Sequence, residues 1–102
     1  GAVMQLMAFP PARAVQAERY QGHDGVRVNA DAEGSLLEAV ASPDAEGRAL
    51  LARAAERFGL TARGYHRVLR VARTLADLAG AEAVSRDHVA EALGYRLPAS
   101  VR

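Results

Sequence analysis

The sequence predicts an all-α fold, a small bundle of four or five short helices, and three observations carry that reading. Half of the residues are hydrophobic but only 5% are aromatic. A core built mainly from Leu, Val and Ala suits packed helices better than a β-sandwich. The segment boundaries read as helix caps and stops. The longest alternating stretch is "GVRVNA" (Gly25 to Ala30), which makes at most a short strand. The chain's 102 residues hold one core and are too few for two domains.

Along the chain, Pro10-Pro11 ends an apolar start, and "ARAVQAERY" (residues 12–20) is a short helix. The turn-rich "QGHDGVRVNA" follows as a long loop or linker, with Gly22, Asp24, Gly25 and Asn29 as its signals. Asn29 or Asp31 is then available to cap a short helix containing "GSLLEAV". In "SPDAEGRALLARAAERFG", Ser42 is the expected N-cap, with Pro43 at the first helical position and Asp44 in the first turn. Leu50, Leu51, Ala54, Ala55 and Phe58 form its apolar stripe, and Gly59 ends it. Thr61 caps the next helix, which Gly80 stops. Ser85 caps "RDHVAEAL", which Gly94 stops. The expected organisation is an N-terminal segment (1–28), a helical domain (29–96) and a tail (97–102).

Composition excludes several functions. There is no Cys, so disulfides and thiolate metal sites are out. No apolar run approaches the roughly 20 residues of a membrane span. "GAVMQLMAFPP" is too short and uncharged for a secretory signal. The expected location is therefore cytoplasmic, without a membrane partner. Gly1 is an unusual native start, and this segment reads as the end of a preceding core, a linker or a cloning remnant. Net charge is +1, and all 13 basic residues are Arg. A phosphate-binding GxxxxGK[ST] loop needs its Lys, so the chain is no self-sufficient P-loop ATPase. His23, His66 and His88 lack metal-ligand spacing, and no Ser sits in GxSxG. No catalytic residue is readable in the chain alone.

The most informative element is "LTARGYHRVLRVARTLADLAG" (Leu60 to Gly80). Each helical residue advances by about 100°. Arg67, Arg70, Thr74 and Asp77 then fall close to the direction of Arg63. His66 and Arg73 border this sector, while Tyr65, Val68, Leu69, Ala72, Leu75, Ala76 and Ala79 fill the opposite half. The broad apolar half makes this the central helix. Arg73 pairs with Asp77 at i,i+4, which leaves Arg63, Arg67 and Arg70 without an acidic neighbour one turn away. The stripe is either a solvated face or one that meets an anion. Arg63 lies in the first turn, where free N–H groups and the helix dipole favour a phosphate, and Gly64 leaves room beside it. A helix-turn-helix reading suits the Arg-rich helix, but the broad apolar half and near-neutral charge oppose it.

"LTARGYHRVLRVARTLADLAGAEAVSRDHVAEALGYR" closely resembles the C-terminal helical domain of the magnesium chelatase-like AAA+ ATPases, in particular the competence protein ComM group. The shared pattern is a capped [ST]-A-R, then "HRVLRVARTLADL", a Gly turn and "HVAEAL.YR". "SPDAEGRALLARAAERFG" and "ARAVQAERY" resemble the segments before it. The resemblance implies an AAA+ lid in which Arg63 is the sensor-2 arginine, reaching toward the γ-phosphate of ATP. Arg67 and Arg70 would face the nucleotide cleft, a neighbouring subunit or water. The Walker loops and arginine finger of the family belong to an N-terminal core domain that this chain lacks. ATP and Mg2+ are thus expected cofactors of the longer protein, with neither held by the chain alone. The implied partners are the AAA+ core of the same polypeptide, neighbouring subunits of a hexameric ring, and DNA. A stand-alone helical DNA- or protein-binding module, or the lid of a magnesium-protoporphyrin chelatase subunit, is the alternative.

Overall fold

The computed structural model describes residues 12–100, with side chains as far as Tyr95. The expectations for "GAVMQLMAFPP" and for the last two residues lie outside the described residues. The described residues form α1 (Ala12–Arg19), a 3-10 turn (Asn29–Asp31), α2 (Gly34–Val40), α3 (Ala45–Phe58), α4 (Ala62–Leu78) and α5 (Arg86–Ser100). The all-α expectation holds, with five helices and no strand among the described residues. "GVRVNA" runs through a turn into the 3-10 segment. One isolated parallel bridge joins Pro43 to Val84, where the Asp44 N–H donates to the Val84 carbonyl at 2.9 Å.

Helix α4 is the centre, as its broad apolar half requires. It packs on α5, α2, α1 and the 3-10 turn, while α3 packs on α5. Val68, Leu69, Ala72 and Ala76 of α4 are buried with Leu37, Leu51, Val84, Val89, Ala92 and Leu93. Tyr65 and Leu75 are half-buried, and Ala79, expected on the apolar side, is exposed where the helix ends. Thr61 caps α4 by accepting the Gly64 N–H at 3.1 Å. Gly80, at φ 72°, closes it: the Ala81 N–H reaches the Ala76 carbonyl at 2.8 Å and the Gly80 N–H that of Asp77 at 3.1 Å. That double closure of the last turn is favoured by a glycine in the left-handed region.

Three expected boundaries shift. The N-cap of α3 is Asp44, not Ser42: its Oδ1 accepts the Gly47 N–H at 2.7 Å. The bridge to Val84 holds Pro43 outside the helix, and the Ser42 hydroxyl instead accepts from Arg48. Neither Asn29 nor Asp31 caps α2, whose N-cap position is Glu33 and lacks a side-chain cap bond. Asp31 is spent on the N–H groups of Arg27 and Val28, and Asn29 is buried under α1. Gly94 does not stop α5, which continues to Ser100. A helical glycine costs only about 1 kcal/mol against Ala, too little on its own to end the helix.

Candidate functional site: a cationic groove on the central helix

The start of α4 meets the 3-10 turn across a wide groove of about 740 Å³, lined by Arg63, His66, Arg67, Arg70, Ala30 and Glu33. The three arginines of the expected stripe are therefore on one surface, joined by His66. Arg63 and Arg67 are exposed, and the first turn of α4 holds no acidic residue. The guanidinium groups of Arg63 and Arg67 line this space, and guanidinium N–H groups are donors that phosphate oxygens accept from. Among the described residues Glu33 is the single carboxylate lining the groove. The fit is to an anion. One carboxylate does not make a magnesium site, which takes several oxygen ligands.

The remaining groove residues are not equivalent. Arg70 is half-buried, and its Nε donates to the Ala32 carbonyl at 2.8 Å. His66 Nε2 lies 3.7 Å from Glu38 Oε2 of α2. Beyond Arg67 and Arg70 the groove passes into an apolar recess of about 290 Å³, walled by Ala30, Val71, Thr74 and Leu75. His23 is exposed, and His88 Nδ1 accepts the Ser85 N–H at 3.0 Å at the start of α5. Ser85 thus holds the expected N-cap position, bonding its own carbonyl to the Val89 N–H. Among the described residues no cluster of three or more His, Asp or Glu side chains is placed to hold a metal ion.

Beneath the groove lies a polar network that sequence reasoning missed. Asp77 and Arg73, expected on the polar side of α4, are each only 3% exposed. Their i,i+4 pair forms at 2.9 Å, but α1 covers it and adds Arg19, which grips Asp77 bidentately at 2.6 and 2.8 Å. Asn29 Nδ2 also donates to Asp77 at 2.9 Å. Arg73 donates further to the carbonyls of Ala81 and Glu82, both at 2.9 Å, fixing the loop that leaves α4. Burial pushes the Asp77 carboxyl up, yet the Arg19 and Asn29 bonds and the Arg73 charge together bring it below its ordinary value. Burial lowers Arg73 and raises the Tyr20 hydroxyl. The bond to Asp77 raises Arg19. The i,i+4 spacing signalled the Arg73–Asp77 half. Arg19 lies 58 residues from Asp77, and no local pattern announces that contact.

Comparison with known proteins places this fold. Residues 9–96 match the family described as magnesium chelatase, subunit ChlI C-terminal. The chain belongs to the magnesium chelatase ChlI C-terminal family. This C-terminal domain is 42% identical over 85 residues to an uncharacterized protein of Mycobacterium tuberculosis (strain H37Rv), covering 83% of the chain and 17% of that protein. It is 52% identical over 46 residues to the competence protein ComM of Haemophilus influenzae, covering 45% of the chain and 9% of that protein. The similarity to YifB of Salmonella typhimurium is 49% over 39 residues, 38% of the chain and 8% of that protein. The chain therefore spans less than one fifth of these relatives' lengths. No solved structure matches it. The family likeness and the ComM-group likeness expected from "HRVLRVARTLADL" both hold. No helix among the described residues is long and apolar enough to cross a membrane.

Proposed function

We propose that this domain is the lid of a ComM-type AAA+ ATPase and that Arg63 is its sensor-2 arginine. The observation that carries the reading is the placement of Arg63, exposed in the capped first turn of α4 beside Arg67 on an anion-fitting groove. In the longer protein, ATP with Mg2+ supplies the phosphoanhydride that is cleaved. The guanidinium of Arg63 and the first-turn N–H groups that Thr61 leaves free donate to phosphate oxygens and stabilise the charge that develops there. The same contact links the position of α4, and with it the whole helical body, to the state of the nucleotide. Arg67 extends the cationic stripe by one turn. The P-loop, the acidic magnesium-binding residues and the arginine finger are assigned to a preceding core domain, and the assembly to a cytoplasmic hexameric ring.

The similarity to a relative named a competence protein favours DNA processing over porphyrin metallation as the motor's task. The test is Arg63→Ala in the full-length protein. Loss of a preorganised donor to the reacting phosphates is expected to lower ATP hydrolysis about 100-fold, with the melting curve of this domain unchanged. Unchanged turnover overturns the assignment.

The exposure of Arg63 and Arg67 also suits a second reading, a module that binds DNA through this stripe. It predicts that the chain alone binds duplex DNA and loses that binding steeply with added salt. The lid reading predicts no such binding.

A further inference from the structure

We propose that Arg70 and Asn29 are positioning residues that hold the far wall of the groove at a fixed distance from Arg63 and Arg67. Arg70 acts through its Nε–H and not through its charge. The inference rests on reading the groove as an anion site, and it changes the part assigned to Arg70.

The far wall is made by Ala30 and Glu33, which flank the end of the 3-10 turn and are both exposed. Between them only Ala32 is buried, and a methyl group is a weak anchor. The wall is instead held by polar clamps. At one end the Ala32 carbonyl accepts from Arg70 Nε at 2.8 Å. At the other, Asn29 uses its whole side-chain capacity. Its Oδ1 accepts from Tyr20 Oη at 2.7 Å and from Arg19 Nη1 at 3.0 Å. Its Nδ2 donates to Thr74 Oγ1 at 3.0 Å and to Asp77 Oδ2 at 2.9 Å. Two acceptor sites and two N–H groups are all that an amide has. Its backbone N–H donates to Gln16 Oε1 at 2.9 Å, so α1 shares the clamp.

The anchor points on α4, Arg70 and Thr74, are one helical turn apart. Two fixed points on a short segment leave it little freedom to swing away from the helix. A buried polar hub bonded at every site, as the Asn29 amide is, fixes geometry more than it adds stability. The geometry it fixes is the width of the groove into which Arg63 and Arg67 project. An arginine that binds an anion needs its charge. One that holds a carbonyl through Nε needs only a donor four bonds from Cα.

Glutamine separates the two roles, because its Nε2 stands as many bonds from the backbone as arginine Nε and carries no charge. Methionine has a methyl group there. The experiment compares the chain with Arg70→Gln, Arg70→Met and Arg67→Gln, titrated with inorganic tripolyphosphate, and follows amide hydrogen exchange over residues 30–34. Arg70→Gln is expected to stay within about twofold of the unsubstituted affinity. Arg70→Met is expected to bind about fivefold more weakly, the effect of one neutral hydrogen bond, with faster exchange in the wall. Equal losses for Arg70→Gln and Arg70→Met, with wall exchange unchanged, would make Arg70 a direct ligand and overturn the proposal. If Arg70→Met does not fold, Arg70→Gln alone decides: retained affinity sustains the proposal, and a loss equal to that of Arg67→Gln overturns it. If tripolyphosphate does not bind the unsubstituted chain, the anion reading falls and exchange alone decides. Faster wall exchange in Arg70→Met but not in Arg70→Gln then sustains the clamp, and equal exchange in the two variants overturns it.

Discussion

Asp77 is the residue on which most of the buried polar chemistry converges. It accepts from Arg19 and Asn29 and pairs with Arg73, and its side chain is completely buried. Removing its charge leaves two guanidinium groups facing one another without a counter-ion. Asp77→Asn is therefore expected to destabilise the chain by about 3–5 kcal/mol, the range for breaking one partner out of a buried pair, as read by urea denaturation. The carboxyl also makes stability depend on pH. Its folded-state pKa lies below the ordinary value of 3.8, so the unfolded chain binds the proton more readily. The stabilisation is present above that value and is lost as pH falls through the folded pKa. The melting temperature of the chain should fall on acidification below about pH 4, and the Asp77→Asn variant should lose this part of the dependence. At this scale the sequence was half legible. Spacing along one helix announces the Arg73–Asp77 pair, but Asn29 reads locally as a cap, and only the docking of α1 shows it to be a hub.

At the scale of elements, the helices were legible where their signals are local. Thr61 and Gly80 bound α4, and Gly59, at φ 61°, ends α3, because each satisfies backbone groups of its own turn. Two of the shifted boundaries are set by tertiary contact: Pro43 is held by Val84, and Asn29 is bonded to Gln16 of α1. The angular reading of α4 placed Val68, Leu69, Ala72 and Ala76 correctly in the core. It failed for Arg73 and Asp77 because a helical wheel cannot know that a second polar element covers part of the polar half. Leu69 is 2% exposed at the centre of the bundle. Leu69→Ala is expected to cost about 2–5 kcal/mol, measured by chemical denaturation. A curve superimposable on that of the unsubstituted chain would invert the assigned faces of α4.

For the whole molecule, a net charge of +1 conceals a local asymmetry. The groove gathers Arg63, Arg67 and His66 around one carboxylate, with Arg70 tied to its far wall, and anions are drawn to that local field rather than to the average. The stripe itself was legible from periodicity. Its opposite wall was not, because Ala30 and Glu33 reach it only through the Asn29 and Arg70 clamps. Family membership adds that such a domain is the C-terminal part of a larger chain. The proposed lid function requires that nucleotide phosphates meet the start of α4. The most direct measurement is amide hydrogen exchange of the full-length protein with and without ATP. Slower exchange with ATP is expected at residues 62–67 of α4 and at residues 30–34 across the groove. Exchange at both segments unchanged by ATP, while other parts of the protein slow, would contradict it.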